Sequence, residues 1–178
     1  MSIIKPNNNT LSSITALPAA ISTGKVLQVK QTVKTDFFST TSTSMVDITG
    51  FSVSITPSST SSKVLVMVDI GIMSCSNANG TFINLLRDST NLTSSSGGGT
   101  ADTKDAWNTA GGGGMSDNAR KYQASPSIKF LDSPSSTSSL IYKCQLSTNG
   151  VATSYINRWG LNSDHAGVST ITVMEISG

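Results

Sequence analysis

From residue 25 onward, apolar and polar positions alternate with a period of two, as in strands with one buried face. In FSVSIT (51–56), Phe51, Val53 and Ile55 share one face, and the serines and Thr56 share the other. VLQVKQTV (26–33) predicts a strand of mixed character, and SMVDITG (44–50) sets Val46 beside Ile48. SIKFLD (127–132) pairs Ile128 with Phe130, and LIYKCQLS (140–147) aligns Leu140, Tyr142, Cys144 and Leu146. VATSYINRWG (151–160) predicts a further strand. The closing STITVMEISG puts Ile171 and Val173 on one side, and Met174 and Ile176 on the other. KVLVMVDIGIM (63–73) is apolar on both faces, which predicts a central strand covered on two sides. TFINLLRDSTNL carries Phe82, Leu85 and Leu86 ahead of a turn signal at Arg87-Asp88-Ser89.

The hexapeptide PSSTSS occurs twice, at 57–62 and 134–139. Each copy lies between an alternating run and a strongly apolar one. Proline blocks ladder hydrogen bonding, and Ser and Thr hydroxyls cap turn backbone. The repeat therefore predicts a strand-to-strand connector used at two comparable points of a sandwich, rather than a binding motif.

Two regions break the pattern. Residues 1–24 hold Leu11, Ile14, Leu17 and Ile21 as isolated apolar points among Asn, Ser, Thr and proline. They read as an extended arm that cannot bury enough surface to fold alone. Residues 94–127 are Gly-rich and nearly unpatterned, and a loop this long inside a domain is functional or disordered. Trp107 stands in its middle, where its ring needs a surface to dock on, its own domain's or a partner's.

Composition supports an all-β domain of residues 25–178, with 94–127 as an insertion. Glu175 is the single glutamate, so good surface-helix formers are scarce, while β-branched residues are plentiful. Charged residues make up 12% of the chain and the net charge is +2, with no basic run beyond Arg120-Lys121. That excludes the clustered cations a nucleic-acid binder needs. No run approaches the roughly 18 apolar residues of a membrane helix. MSIIKPNNNT lacks the apolar stretch of a secretory signal, so export would follow another route, such as lysis.

Candidate chemistry is thin. His165 is the only histidine, and its neighbour Asp164 would point to the opposite face of a strand. No GxSxG elbow is present, and the glycines at 111–114 lack the Lys-Ser/Thr of a phosphate loop. Asp102, Asp105 and Asp117 could gather a cation only by chance, so no metal and no cofactor is expected. Cys75 and Cys144 have no zinc spacing and are buried thiols or one bridge. Trp159, in NRWG, is either core or an aromatic contact for a ligand.

The segment GKVLQVKQTVKTDFFSTTSTSMVDITGFSVSITPSSTSSKVLVMVDI resembles a domain widespread in bacteriophages of marine bacteria, including cyanophages. There it occurs in virion structural proteins and at the ends of tail fibres. NLLRDSTNL, the second SPSSTSS and STITVMEI are similar to the same pattern, and NTLSSITALPAAISTGKVLQV looks like its N-terminal arm. The chain is more distantly similar to trimeric jelly rolls of the C1q and tumour-necrosis-factor type.

These resemblances imply a homotrimeric jelly-roll β-sandwich without enzymatic activity, on the surface of a virion. Residues 1–24 would serve for attachment or subunit contact, with Leu11, Ile14, Leu17 and Ile21 as the anchor to other capsid or tail proteins. The last strand (Ile171, Val173, Met174, Ile176) would lie near sister subunits. Two roles follow: a capsid decoration (cement) protein or short fibre, or a tail-fibre tip that binds a host glycan or protein through Trp107 or Trp159. Neither nucleic acid nor membrane insertion is expected.

Overall fold

The computed structural model describes residues 25–76, 80–93, 108–110, 123–148, 150–160 and 163–178. The fold is all-β, and no helix occurs among the described residues. Leu11, Ile14, Leu17, Ile21, Trp107 and the three aspartates at 102, 105 and 117 lie outside the described residues.

One antiparallel sheet is built from β1 (Val26–Lys34), β13 (Ser169–Ile176), β4 (Lys63–Asp69) and β10 (Ser127–Asp132), in that order. A second has the order β3 (Val46–Ile55), β11 (Leu140–Thr148), β6 (Thr81–Arg87) and β7 (Thr90–Asn91), and β8 (Asn108–Ala110) also pairs with β6. Their inner faces share one core, in a β-sandwich-like arrangement. Val64, Val66, Val68, Ile128, Ile171 and Val173 come from the first sheet, and Phe51, Ile55, Ile83, Leu85, Tyr142 and Leu146 from the second. All of these follow the period-two alternation, because a pleated strand offers only every second side chain to the other sheet.

Four departures from the sequence expectation have physical causes. The runs at 44–50 and 51–56 form one strand, β3. Gly50, at φ 73°, shifts the buried parity from Ile48 to Phe51, and four residues of β3 lie between the partners of Lys143 and Gln145. Such a bulge needs a residue free to adopt positive φ. Second, the run at 63–73 is not one strand. β4 stops at Asp69, and the chain turns at Gly71, where a Cβ would stand 2.5 Å from the Val168 backbone. Third, β4 is buried on its inner face alone, and Leu65 and Met67 on the other face are half-buried. Fourth, 94–127 is not without pattern, since β8, β9 (Gln123–Ala124) and the first residue of β10 fall within it.

A small third sheet, with order β2 (Phe38–Thr40), β12 (Ser154–Ile156), β5 (Met73–Cys75) and β9, closes one end of the sandwich. Asn157 binds it to the rest. This residue is fully buried at φ 61°; its Nδ2 donates to the Lys34 carbonyl (2.8 Å) and its Oδ1 accepts from Ser169 Oγ (2.6 Å).

The sandwich therefore has two unlike poles. At one pole lie both PSSTSS connectors, the Asp88-Ser89 turn and the start of β1, where Ser177 N donates to the Lys25 carbonyl. The small sheet forms the opposite pole, and β8 and β9, the described strands of the Gly-rich region, pair there with the start of β6 and with β5.

Candidate functional site

Strand register decides what the four-stranded sheet shows to its surroundings. Residues directly opposed in an antiparallel ladder share a face. Val29 opposes Met174, Met174 opposes Leu65, and Leu65 opposes Leu131. This gives one apolar row across all four strands, on the face turned away from the core. The next row is Gln31, Thr172, Met67 and Lys129. Val26, Leu27, Val29, Val33 and Leu131 are each about half exposed, between 46% and 53%. The outward face of this sheet thus carries one apolar row of partly exposed side chains.

The expected subunit-contact residues separate on this geometry. Ile171 and Val173 have no exposed surface and belong to the core of their own chain, so they cannot reach a neighbour. Met174 and Ile176, one residue out of phase, lie on the outward face and are half-buried. Alternation along the last strand is as expected, and it sets the two pairs on opposite faces of the sheet.

Two carboxylates lie on the inner face. Glu175 is 1% exposed and accepts from Ser58 N (2.7 Å), Ser58 Oγ (2.7 Å) and Gln28 Nε2 (2.6 Å). Burial alone would raise its pKa, but the donors on Gln28 and Ser58 outweigh burial and hold it at about 2, below the ordinary 4.5. Asp132 takes both oxygens to Arg87 Nη1 (2.7 and 2.6 Å) and accepts from the Tyr142 hydroxyl (2.7 Å). This cluster ties β10 to β6 and β11 across the sandwich. Burial, and then the hydrogen bond to Asp132, push the Tyr142 hydroxyl well above the usual phenol range. For Arg87, burial lowers the pKa but Asp132 more than offsets it. Both carboxylates are saturated by protein donors and closed off from any substrate.

A third buried charge, Lys34, donates to Asp36 Oδ2 (2.9 Å) and to the Thr49 carbonyl (2.8 Å). That carbonyl sits in the β3 bulge, where regular ladder pairing is interrupted. Both cysteines are buried and neither is in a disulfide, and burial pushes the Cys144 thiol far above its ordinary pKa. No group of three or more metal-ligating side chains occurs among the described residues. No described helix is long and apolar enough to cross a membrane.

Trp159 is half-buried, with its ring edge-on to His165 at 5.0 Å, and its buried Nε1 has no hydrogen-bond partner. Sequence reasoning missed a second aromatic group on the small sheet. Tyr155 opposes Ser39, and Arg158 stacks over the Tyr155 ring, its guanidinium carbon 4.7 Å from the centroid. Phe37, two residues before Ser39, is 45% exposed. The doublet Phe37-Phe38 was the available signal, since two adjacent aromatics leading into a strand cannot both face the core.

Compared with known proteins, the chain matches no family model and none of the curated proteins.

Proposed function

We propose that this chain is a non-enzymatic structural protein displayed on the surface of a bacteriophage particle, as a capsid decoration protein or a short fibre. In this reading the sandwich is a jelly roll that assembles as a homotrimer, and residues 1–24 hold it on the particle. The observation that carries the proposal is the outward apolar row Val29–Met174–Leu65–Leu131. A row of this kind on a monomer needs a covering surface, and a second copy supplies one of matching character.

Strand order supports the jelly-roll reading. Leaving the short strands aside, successive long strands alternate between the sheets so that first and last lie side by side, as β1 and β13 do. Dimensions also bear on the assembly. Four strands of about six residues span roughly 19 by 20 Å. That is less than the roughly 800 Å² per partner of a standard interface. A trimer therefore also engages the flanking edges of β1 and β10. Polarity supports display: β1 starts at the connector pole, and the small sheet lies at the far pole.

Light scattering of the purified protein tests the assembly. The wild type is expected at three times the chain mass, and Leu65→Asp or Met174→Asp at one times, with strand content unchanged. A monomeric wild type, or an aspartate variant that stays trimeric, overturns the interface. Antibody-gold labelling of intact particles tests the location: label over the head gives decoration, label on the tail gives a fibre, and none removes the virion reading. Deletion of residues 1–24 is expected to leave a folded domain that no longer attaches.

A further inference from the structure

We infer that residues 11–21 of a neighbouring copy lie across the outward apolar row, so that exchanged arms close the assembly. This rests on the assembly proposed above and names the segment that covers its surface. β1 gives the first sign, because its polarity is inverted. Its inward positions, Gln28, Lys30, Thr32 and Lys34, are all polar. Gln28 donates to Glu175 Oε2 (2.6 Å), Thr32 to the Ser52 carbonyl (2.7 Å) and Lys34 to the Thr49 carbonyl (2.8 Å). No residue of β1 joins the hydrophobic core. Its apolar side chains Val29 and Val33 face outward and are 52% and 50% exposed within one chain. A strand of this polarity has its apolar partner outside its own sandwich.

The arm has the spacing to be that partner. Leu11, Ile14 and Leu17 recur every three residues, and Pro18 favours an extended Leu17. A chain with three residues per turn puts all three side chains on one side, about 9 Å apart. Strands lie about 4.8 Å apart, so such a chain crossing a sheet meets every second strand. Its three anchors span about 19 Å, the breadth of the four-stranded sheet. Direction assigns the arm to a neighbour. Ser177 N donates to the Lys25 carbonyl (2.9 Å), one step past the Val26–Ile176 pair. The chain at Lys25 is therefore still in line with β1, and the residues before it leave the connector pole heading away from their own row. The stretch from Leu17 to Lys25 reaches up to about 26 Å. Closed rotational symmetry sets all connector poles at one end, which brings the next copy's row within that reach. Residues 1–10 are left for attachment to the particle.

Disulfide trapping in the full chain tests it, with oxidised glutathione as the oxidant. Leu17→Cys is combined with Leu65→Cys, and in a control with Ser52→Cys, which is exposed on the other sheet. Both native cysteines are buried and stay in place. The first pair is expected to give covalent dimers and trimers on non-reducing gels, and the control monomers alone. A bond within one chain, or links between chains as frequent in the control, overturns the exchange. No bond in a double variant that light scattering shows to be trimeric overturns it too but leaves the trimer standing, whereas a monomeric wild type removes both. A second variant leaves the sandwich untouched: Leu11→Ser/Ile14→Ser/Leu17→Ser is expected to dissociate at about tenfold higher concentration than the wild type. Equal dissociation of the two proteins overturns the proposal.

Discussion

The two PSSTSS connectors have one sequence and two conformations. Both cross between the large sheets, 57–62 from β3 to β4 and 134–139 from β10 to β11, and they sit side by side because β3 pairs with β11 and β4 with β10. In the first copy, Pro57 and Ser62 are buried, and Ser62 N donates to the Ser59 carbonyl (3.2 Å) in a tight turn. None of residues 133–139 is buried in the second, where Ser138 N reaches only Ser136 Oγ (3.0 Å). The equivalent serines differ most. Ser58 is gripped by Glu175 through both its N–H and its hydroxyl, whereas Ser135 sits at φ 49°. A hexapeptide rich in hydroxyls offers many local hydrogen bonds, so the nearest long-range partner selects among them. At the first arch that partner is a carboxylate. At the second, the carboxylate Asp132 lies just before the connector and is spent on the opposite sheet.

Replacing the two carboxylates breaks this comparison most strongly. Asp132→Ala strands the Arg87 cation and the Tyr142 hydroxyl inside the sandwich and is expected to cost about 3 kcal/mol in urea unfolding. Glu175→Gln leaves the charge-assisted bonds to Ser58 weakened but not empty, with an expected cost of about 1–2 kcal/mol. A smaller loss at Asp132 than at Glu175 would mean that the first arch, not the inter-sheet cluster, limits stability.

Acid sharpens the contrast. Glu175 has a folded pKa of about 2, depressed from 4.5. Its contribution is therefore complete above pH 4.5 and is lost as pH falls toward 2. Wild-type stability is expected to decline across that window, and Glu175→Gln should flatten the decline. Equal slopes in the two proteins would remove Glu175 as the group that titrates.

The smallest effects carry opposite signs. Ser58→Gly removes a hydroxyl bonded to Glu175 and loosens the unfolded chain, an expected loss of about 1–2 kcal/mol. The same change at Ser135 relieves a left-handed φ and is expected to stabilise by about 0.5 kcal/mol. Paired thermal melts of the two variants check this. Shifts of the same sign would show that the two copies are interchangeable after all.

The strands were the legible part. Alternation in 51–56, 127–132 and 140–147 named the inner residues correctly, because each strand has one apolar face and the choice of side is forced. PSSTSS was rightly read as a crossing element, since proline and hydroxyls end a ladder wherever they stand. The small sheet was not legible. Its strands have three residues or fewer, too few for a period, and Met73–Cys75 is buried on both faces. On the last strand the period separates Ile171 and Val173 from Met174 and Ile176, but it does not say which pair is core.

The sequence by itself determined which side chains share a face, because pleating fixes that locally. Which face becomes the inside was decided by the tertiary structure wherever both are apolar. On β13, Ile171 and Val173 are core and Met174 and Ile176 are surface because the second sheet stacks on one side only. The fate of Glu175 was decided in the same way. A single glutamate in a run of β-branched residues carries no local instruction. It is ionised and buried because Gln28 and Ser58 bring donors to it from positions 147 and 117 residues away along the chain.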